Sequence, residues 1–218
     1  MRGGPVPPRM GIPVEVPGLD TILPTVDEGR LLVVESGTDS AKSFFIRRVA
    51  RTAIAHKWPV TFVISRDQAE LTSLLAAESG GTEFGPSELR IEERDSFSEL
   101  NGHGAGGGLL AIDSFSFLTL DLDSTKVSAL LRSMRTLARE HRTTIILATD
   151  RGMFEARAEA VAMHLADGVI QFHAKEGPEG MVRYLRVPKW SDGRFVDRNV
   201  YYDFDGRRIA IDLRSRVL

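Results

Sequence analysis

A buried strand, a short polar turn and a helix near the start of the chain constrain its fold more than any other feature. Leu31–Val34 is an unbroken apolar run, and a helical pattern follows over Lys42–Ala55. The turn between them ends in Lys42 and Ser43. A phosphate-binding loop reads G-x-x-x-x-G-K-[ST] at this place, where backbone N–H groups and the helix N-terminus surround the phosphates. The segment therefore predicts an α/β fold with a loop of this type.

Both glycines of that motif are replaced, the first by Ser36 and the second by Ala41. Glycine allows the backbone to approach a ligand closely, sometimes at positive φ, so each replacement adds a small obstacle. Asp39 also places a carboxylate in a loop that would receive phosphate. The loop alone is therefore also consistent with an ordinary polar turn between a strand and a helix.

A second apolar strand, Leu109–Ile112, ends in Asp113. Such an aspartate can face the loop and organise Mg²⁺, although an aspartate at a strand end can also form a turn or cap a helix. Together with Lys42 and Ser43 it predicts a fold of the P-loop type. We expect Mg²⁺ to contact Ser43 and Asp113. The predicted cradle for ATP or ADP is Gly37, Thr38, Asp39, Ser40, Ala41, Lys42 and Ser43.

The rest of the chain alternates short apolar runs with helical patterns, as a parallel sheet covered on both faces requires. Further strands are predicted at Val60–Ile64, Glu88–Glu92 and Thr144–Ala148, with helices at Gln68–Ala77, Thr125–His141 and Met153–His164. Four runs after residue 167 predict an antiparallel set. We expect residues 1–13, rich in Pro and Gly, to form a flexible arm and residues 14–218 to form a single domain.

Composition excludes several classes of function. The chain lacks cysteine, so disulfides and thiolate chemistry are excluded, and its five histidines show no metal-ligand spacing. Its formal net charge of -2 gives no general attraction to nucleic acid or to an anionic membrane. No apolar run approaches the roughly 18 residues of a membrane span, and the start does not resemble a signal or transit peptide. We therefore expect a cytoplasmic protein.

Several further segments resemble, in order and spacing, the KaiC/RecA branch of P-loop ATPases, which includes archaeal KaiC-domain and RadA/RadB-like proteins. The resemblance runs from about residue 14 to the C-terminus. It implies a RecA-like domain with a mostly parallel central sheet, flanking helices and a C-terminal antiparallel extension. The segments that carry it are Pro17–Leu23, Val60–Phe62, Ile112–Ser114, Thr144–Arg151, Leu185–Trp190, Val200–Phe204 and Gly206–Ile211.

The same resemblance shows what this chain lacks, beyond a degenerate Walker A loop. KaiC-like ATPases end the second core strand in a pair of glutamates, one of which activates the attacking water. Val63 and Ile64 stand at the matching positions, and Asp67 is the only nearby candidate base. Because loss of a general base lowers a rate by ~10²- to 10⁴-fold, we expect weak or lost ATP hydrolysis.

In the resembled family, a lysine and an arginine of the C-terminal hairpin can reach the nucleotide of the next subunit. Lys189 matches the lysine, whereas Ser191 stands at the arginine position with Arg194 nearby. Both cations could equally be solvated hairpin charges. Asp150 and Arg151 could likewise sense the γ-phosphate or simply cap the next helix.

Three functions follow from these observations. The first is a nucleotide-binding protein with weak or lost hydrolysis and a regulatory or assembly role, which associates with itself or with a RecA/KaiC-like paralogue. The second is an active DNA-dependent ATPase of recombination or repair, with phosphate contacts from the arginines of the predicted helix after Thr125. The third is a non-enzymatic interaction module that no longer binds nucleotide. The net charge does not indicate nucleic acid, and four arginines on that helix more readily form a solvated face: Arg132, Arg135, Arg139 and Arg142.

Overall fold

The computed structural model describes residues 11–37, 41–65, 68–78, 80, 84–97, 107–178, 180–190, 193, 196–206 and 208–212. The strands are β1 (Gly11–Pro13), β2 (Thr25–Asp27), β3 (Leu31–Ser36), β4 (Val60–Ile64), β5 (Leu89–Glu93), β6 (Gly108–Asp113), β7 (Thr143–Asp150), β8 (Gly168–Gly177), β9 (Gly180–Lys189), β10 (Val196–Phe204) and β11 (Ile209–Ile211). The helices are α1 (Ala41–Ala55), α2 (Gln68–Glu78), α3 (Phe115–Leu118), α4 (Ser124–His141) and α5 (Ala156–Leu165).

Within these residues the main sheet has nine strands in the order β11-β10-β9-β8-β3-β7-β6-β4-β5. The six strands from β8 to β5 in this order run parallel to one another, and β9, β10 and β11 are added antiparallel. The predicted α/β fold with a mostly parallel central sheet and an antiparallel extension is therefore confirmed. A separate two-stranded sheet joins β1 to β2.

Helices cover both faces of the parallel strands, which is why these strands are apolar without alternation. All six residues of β3 are buried. Leu32 and Val34 pack in the cluster that contains α1 and α2, and Leu31 and Val33 pack in the cluster that contains α3, α4 and α5. Successive side chains of a strand thus enter two separate cores, one on each face of the sheet.

The carboxyl ends of β3 and β7 form a topological switch point. These neighbouring strands are paired in register, with Ser36 opposite Asp150. The helix after β3 crosses one face of the sheet towards β4, and the helix after β7 crosses the other face towards β8. Ligands of open α/β sheets bind in the crevice at such a point.

The structure corrects some local predictions. Phe115–Leu118 forms the short helix α3, which was not predicted. α5 begins at Ala156, three residues after its predicted start at Met153, because a turn first reverses the chain after β7. β8 is parallel to β3 on one side and antiparallel only to β9, so it belongs to both parts of the sheet.

Strand β1 lies within the range predicted as a flexible arm. Gly11–Pro13 pairs with Thr25–Asp27, and Ile12 is fully buried in the α1 core. The remainder of the predicted arm, residues 1–10, lies outside the described residues. No helix in the described part of the chain is long and apolar enough to cross a bilayer.

Candidate functional site

Lys42 lies in the first turn of α1, directly beyond the carboxyl end of β3. Ala41 is the first residue of the helix and is completely buried, so its methyl group packs inside the protein. Ser36, at the other substituted glycine position, is also buried, and its hydroxyl donates to the carbonyl of Gly37 at 3.0 Å. Both replacements are therefore accommodated without exposure of either side chain.

The ammonium group of Lys42 forms a salt bridge with Asp150, at the carboxyl end of β7. The Lys42 side chain is only 7% exposed, and that of Asp150 is 25% exposed. Two hydroxyl groups also donate to Asp150 Oδ2, from Ser114 at 2.5 Å and from Ser116 at 3.0 Å. Burial alone would raise the pKa of Asp150, but the hydrogen bonds from Lys42 and Ser114 and the lysine charge lower it on balance. Asp150 is therefore an anion fixed against the lysine.

Asp113 ends β6 at the same edge of the sheet and is partly exposed. Ser43 lies one residue beyond Lys42 in α1 and is 6% exposed. A hydroxyl and a carboxylate oxygen are hard ligands of the kind that Mg²⁺ takes together with water and nucleotide phosphates. No group of three or more His, Asp or Glu side chains in the described ranges could hold a metal by itself. Ser43 and Asp113 are therefore two oxygen donors that could contribute to a metal site.

Strand β4 brings no carboxylate to this edge. Val63 is fully buried and Ile64 is 3% exposed, and both pack as core residues. Asp67, the predicted candidate base, lies outside the described residues. Glu93, at the end of the neighbouring β5, is exposed, and its Oε2 accepts a hydrogen bond from the backbone N–H of Gln68 at 3.3 Å. The Glu93 carboxylate therefore lies at the start of α2.

The structure is similar to solved proteins with a known architecture. One is a KaiC-like protein from the hyperthermophilic archaeon Pyrococcus horikoshii, which aligns with a TM-score of 0.73 and 18% sequence identity over 94% of this chain and 100% of that chain. Another is the flagellar accessory protein FlaH from Methanocaldococcus jannaschii, with a TM-score of 0.73 and 14% identity over 94% of this chain and 99% of that chain. The chain has a KaiC/RecA-like fold. No protein-family model matches its sequence, and no curated protein does so either.

A second polar cluster lies beside the lysine site on the opposite face of this KaiC/RecA-like sheet. Its centre is Glu35, which is 2% exposed and accepts hydrogen bonds from Arg151 at 3.1 Å and from Gln171 at 2.9 Å. Glu159 of α5 also faces Glu35. A hydrogen bond with Glu35, burial and repulsion between the two carboxylates raise the pKa of Glu159, against the effect of Arg151. Glu159 therefore keeps its proton to a higher pH than an isolated glutamate does.

Arg151 links this cluster to the C-terminal hairpin. Its guanidinium lies 3.2 Å from Nδ1 of His173, and the His173 ring stacks on Tyr184 with their centroids 4.7 Å apart. Burial and the neighbouring Arg151 charge lower the pKa of His173, against the effect of Glu35. Because Asp150 and Arg151 are adjacent, one chain segment serves both polar sites. Neither side chain caps α5, whose N-cap position is Glu155.

Lys189, the predicted trans-acting cation, ends β9, and its ammonium donates to the backbone carbonyl of His164 at 2.9 Å. Burial lowers its pKa, partly offset by Asp167 and reinforced by Arg135. The structure therefore places it against α5 of its own chain. Arg194, the second predicted cation, lies outside the described residues.

Two arginines of α4 and Arg142, which directly follows the helix, pair with acidic residues of the protein. Arg135 and Arg139 lie 3.9 and 3.3 Å from Oδ1 of Asp167, which is 8% exposed. Arg142 pairs with Glu28. Arg132 is exposed. These contacts favour a structural role for the basic face of this helix.

The structure brings together part of the predicted site and adds residues to it. Thr38, Asp39 and Ser40 lie outside the described residues. Sequence reasoning assigned no role to Glu35 or to the hydroxyl groups of Ser114 and Ser116. The signal available in the sequence was that Glu35 and Asp150 each follow an apolar strand run, and the parallel pairing of the two strands in the structure places both residues at one edge of the sheet.

One cavity of the described residues lies away from Lys42. It has a volume of about 420 Å³ and lies near the C-terminal half of α1, lined among others by Thr52, Ala55 and Phe84. A smaller cavity of about 260 Å³ lies beside the first turns of α1, between Phe44, Arg48 and Ile209. The chemistry of Lys42 rather than cavity size therefore identifies the candidate site.

Proposed function

We propose that this chain is a KaiC/RecA-like nucleotide-binding protein that holds ATP or ADP through Lys42, hydrolyses it weakly or not at all, and acts in regulation or assembly. The observation that carries the proposal is the buried Lys42 ammonium at the N-terminal end of α1, at the switch point of the sheet. A cation and a helix N-terminus at one place favour an anion.

Mg²⁺ fits the same proposal. Ser43 and Asp113 would hold it through the nucleotide, and it would neutralise phosphate charge there. Gly37 would add a backbone N–H group to the cradle, as would Thr38, Asp39, Ser40 and Ala41. The space beside Gly37 is open, since a Cβ atom built at this position would meet no other atom within 4 Å.

Weak hydrolysis is supported by the apolar end of β4. Valine and isoleucine cannot accept a proton from water, and both residues are buried. A general base must lie within hydrogen-bond reach of the attacking water. We therefore expect ATP turnover far below the ~1 s⁻¹ scale that many enzymes exceed.

Equilibrium titration with ATP and Mg²⁺ tests the proposal directly. We expect saturable binding to the wild-type protein and its loss in Lys42→Ala. Lys126→Ala is the matched control, because Lys126 is 68% exposed on α4 and should leave binding unchanged. The double variant Lys42→Ala/Asp150→Asn removes both charges of the salt bridge, so a loss of binding there cannot arise from an unpaired Asp150. No binding to the wild-type protein would refute the proposal.

The salt bridge itself favours a second candidate, an interaction module that has lost nucleotide binding. Lys42 already has a carboxylate partner within the protein, so the fold does not need a phosphate to neutralise it. A ligand that binds the native state must raise its melting temperature. An unchanged melting temperature with saturating ATP or ADP would support this second candidate.

We further propose self-association, or association with a RecA/KaiC-like paralogue, as the mode of action. β5, at one edge of the main sheet, carries Arg90 and Glu92, and Arg94 directly follows the strand and also pairs with Glu92. Charged edge strands resist pairing with another sheet. We therefore expect association through helices and loops. Sedimentation velocity with and without ATP measures this, and a monomer at every concentration would contradict it.

A further inference from the structure

The partner of Lys42 is the most unusual feature of the candidate site. A lysine that neutralises nucleotide phosphates needs an available ammonium group, yet Asp150 already binds this group inside the protein. The carboxylate approaches from the strand next to the loop strand, at the position directly opposite Ser36. Its charge has the same sign as a phosphate and contacts the same atom of the lysine.

We propose that Asp150 is an internal anion that competes with nucleotide phosphate for Lys42, so that a nucleotide binds only after it has displaced this carboxylate. This inference rests on the proposed function and adds a means of regulating the same site. Its consequence is that the affinity for nucleotide is set by how often the salt bridge opens.

Hydrogen bonds hold the backbone around Asp150, so Asp150 cannot separate from Lys42 by movement of strand β7. The N–H of Asp150 donates to Oγ of Ser116 at 2.9 Å, and the N–H of Arg151 donates to the carbonyl of Ser36 at 2.8 Å. Arg151 is also held at 3.1 Å from Glu35. Release must therefore occur by movement of the Lys42 side chain or by rotation of the Asp150 carboxylate.

The hydroxyl groups make such a release feasible. Ser114 and Ser116 would still donate to Asp150 after Lys42 leaves, so the carboxylate would keep hydrogen-bond partners. A buried polar group left without partners would cost far more. The two serines thus allow two states of the lysine, one bound to Asp150 and one bound to phosphate.

The expected size of the effect follows from the population of the open state. An apparent dissociation constant equals the intrinsic constant divided by the competent fraction. A minor conformation a few kcal/mol above the main one is populated at about 10% or less. Removal of the Asp150 charge should therefore increase ATP affinity by about tenfold or more.

The test measures ATP affinity in wild-type protein and Asp150→Asn, with Mg²⁺ and, separately, with EDTA. Asparagine is nearly isosteric, and its side-chain oxygen still accepts from both serines. We expect tighter binding in both conditions. Asp150→Ser also removes the charge and should change the affinity in the same direction. Glu176→Gln is the matched control for net charge, because Glu176 is exposed on β8, and should leave affinity unchanged.

The outcomes separate this inference from the proposed function. If the wild-type protein binds ATP, loses it in Lys42→Ala and shows equal or weaker binding in Asp150→Asn, the inference is overturned and the proposed function stands. Weaker binding of Asp150→Asn in Mg²⁺ alone would also overturn it, because Asp150 would then act as a metal ligand. No binding by either protein would overturn both.

Discussion

At the scale of single residues, two acidic side chains bind the cations of the candidate site. Asp150 holds Lys42 and lies on the α1 side of the sheet edge, while Glu35 holds Arg151 on the other side. Each carboxylate is buried or half-buried and paired with a cation, as buried charges require. The adjacent positions of Asp150 and Arg151 couple the two pairs through one short segment.

Glu159→Gln tests the carboxyl pair. The raised pKa of Glu159 means that the folded protein binds a proton that the unfolded chain releases above about pH 4.3. Wild-type stability should therefore fall as pH rises through the raised pKa. The stability of Glu159→Gln should not fall in this way, so the variant should be more stable than the wild-type protein at neutral pH.

Thermal unfolding from about pH 4 to pH 8, which includes the glutamate pKa of the unfolded chain and the pH range above it, measures the difference. Glu140→Gln, on the exposed face of α4, is the control and should follow the wild-type profile. A Glu159→Gln profile that also follows the wild type would show that the pKa of Glu159 is not raised in the folded protein.

Gly108→Ala and Gly37→Ala compare two glycines beside strands of the candidate site. Gly108 begins β6, and Gly37 directly follows β3. Gly108 has φ of +89°, and a Cβ atom there would lie 2.2 Å from the carbonyl oxygen of Pro59. We expect a loss of more than about 1 kcal/mol in the free energy of unfolding from the backbone conformation alone. Gly37→Ala should change it little, since no atom lies within 4 Å of the new methyl group. Urea denaturation of both variants measures the free energy of unfolding. Equal losses in the two variants would contradict the positive φ and the close contact described at Gly108.

At the scale of elements, helix α1 joins the candidate site to the core. Phe45 is fully buried, and its ring centroid lies 6.1 Å from that of Phe172 on β8. The packing of α1 therefore fixes the direction of the first turn, which carries Lys42. Loss of this packing would disturb both stability and ligand geometry.

Phe45→Ala should lower the free energy of unfolding by about 3–5 kcal/mol, because it removes a buried ring and leaves a cavity. Phe117→Ala is the control, since Phe117 is 48% exposed on α3, and should change it by less than about 0.5 kcal/mol. Urea denaturation of the two variants compares them. Equal losses in the free energy of unfolding would mean that the buried Phe45 contributes no more to the core than the exposed Phe117.

At the scale of the whole molecule, the sequence predicted the architecture better than the site. Leu31–Val34, Val60–Ile64 and Leu109–Ile112 could be assigned because a strand buried on both faces is apolar throughout. The small β1–β2 sheet was missed because its strands have only three residues each, too few for a pattern. The Lys42–Asp150 salt bridge was missed because it joins residues 108 positions apart in sequence, and only the strand order brings them together.

Nucleotide should stabilise the whole domain if the proposed function is correct. ATP at 100 times its dissociation constant should add about 2.7 kcal/mol to the free energy of unfolding. The melting temperature should therefore rise with ATP concentration in the wild-type protein and remain constant in Lys42→Ala. A rise of equal size in Lys42→Ala would place the nucleotide elsewhere on the protein.

The most direct test of the central claim is the identity of the nucleotide bound after prolonged incubation with labelled ATP and Mg²⁺. Equilibrium dialysis followed by chromatography of the bound fraction measures binding and hydrolysis together. The account predicts that wild-type protein retains label chiefly as intact ATP and that Lys42→Ala retains none. Label recovered as ADP after rapid turnover, or no label retained by the wild-type protein, would contradict it.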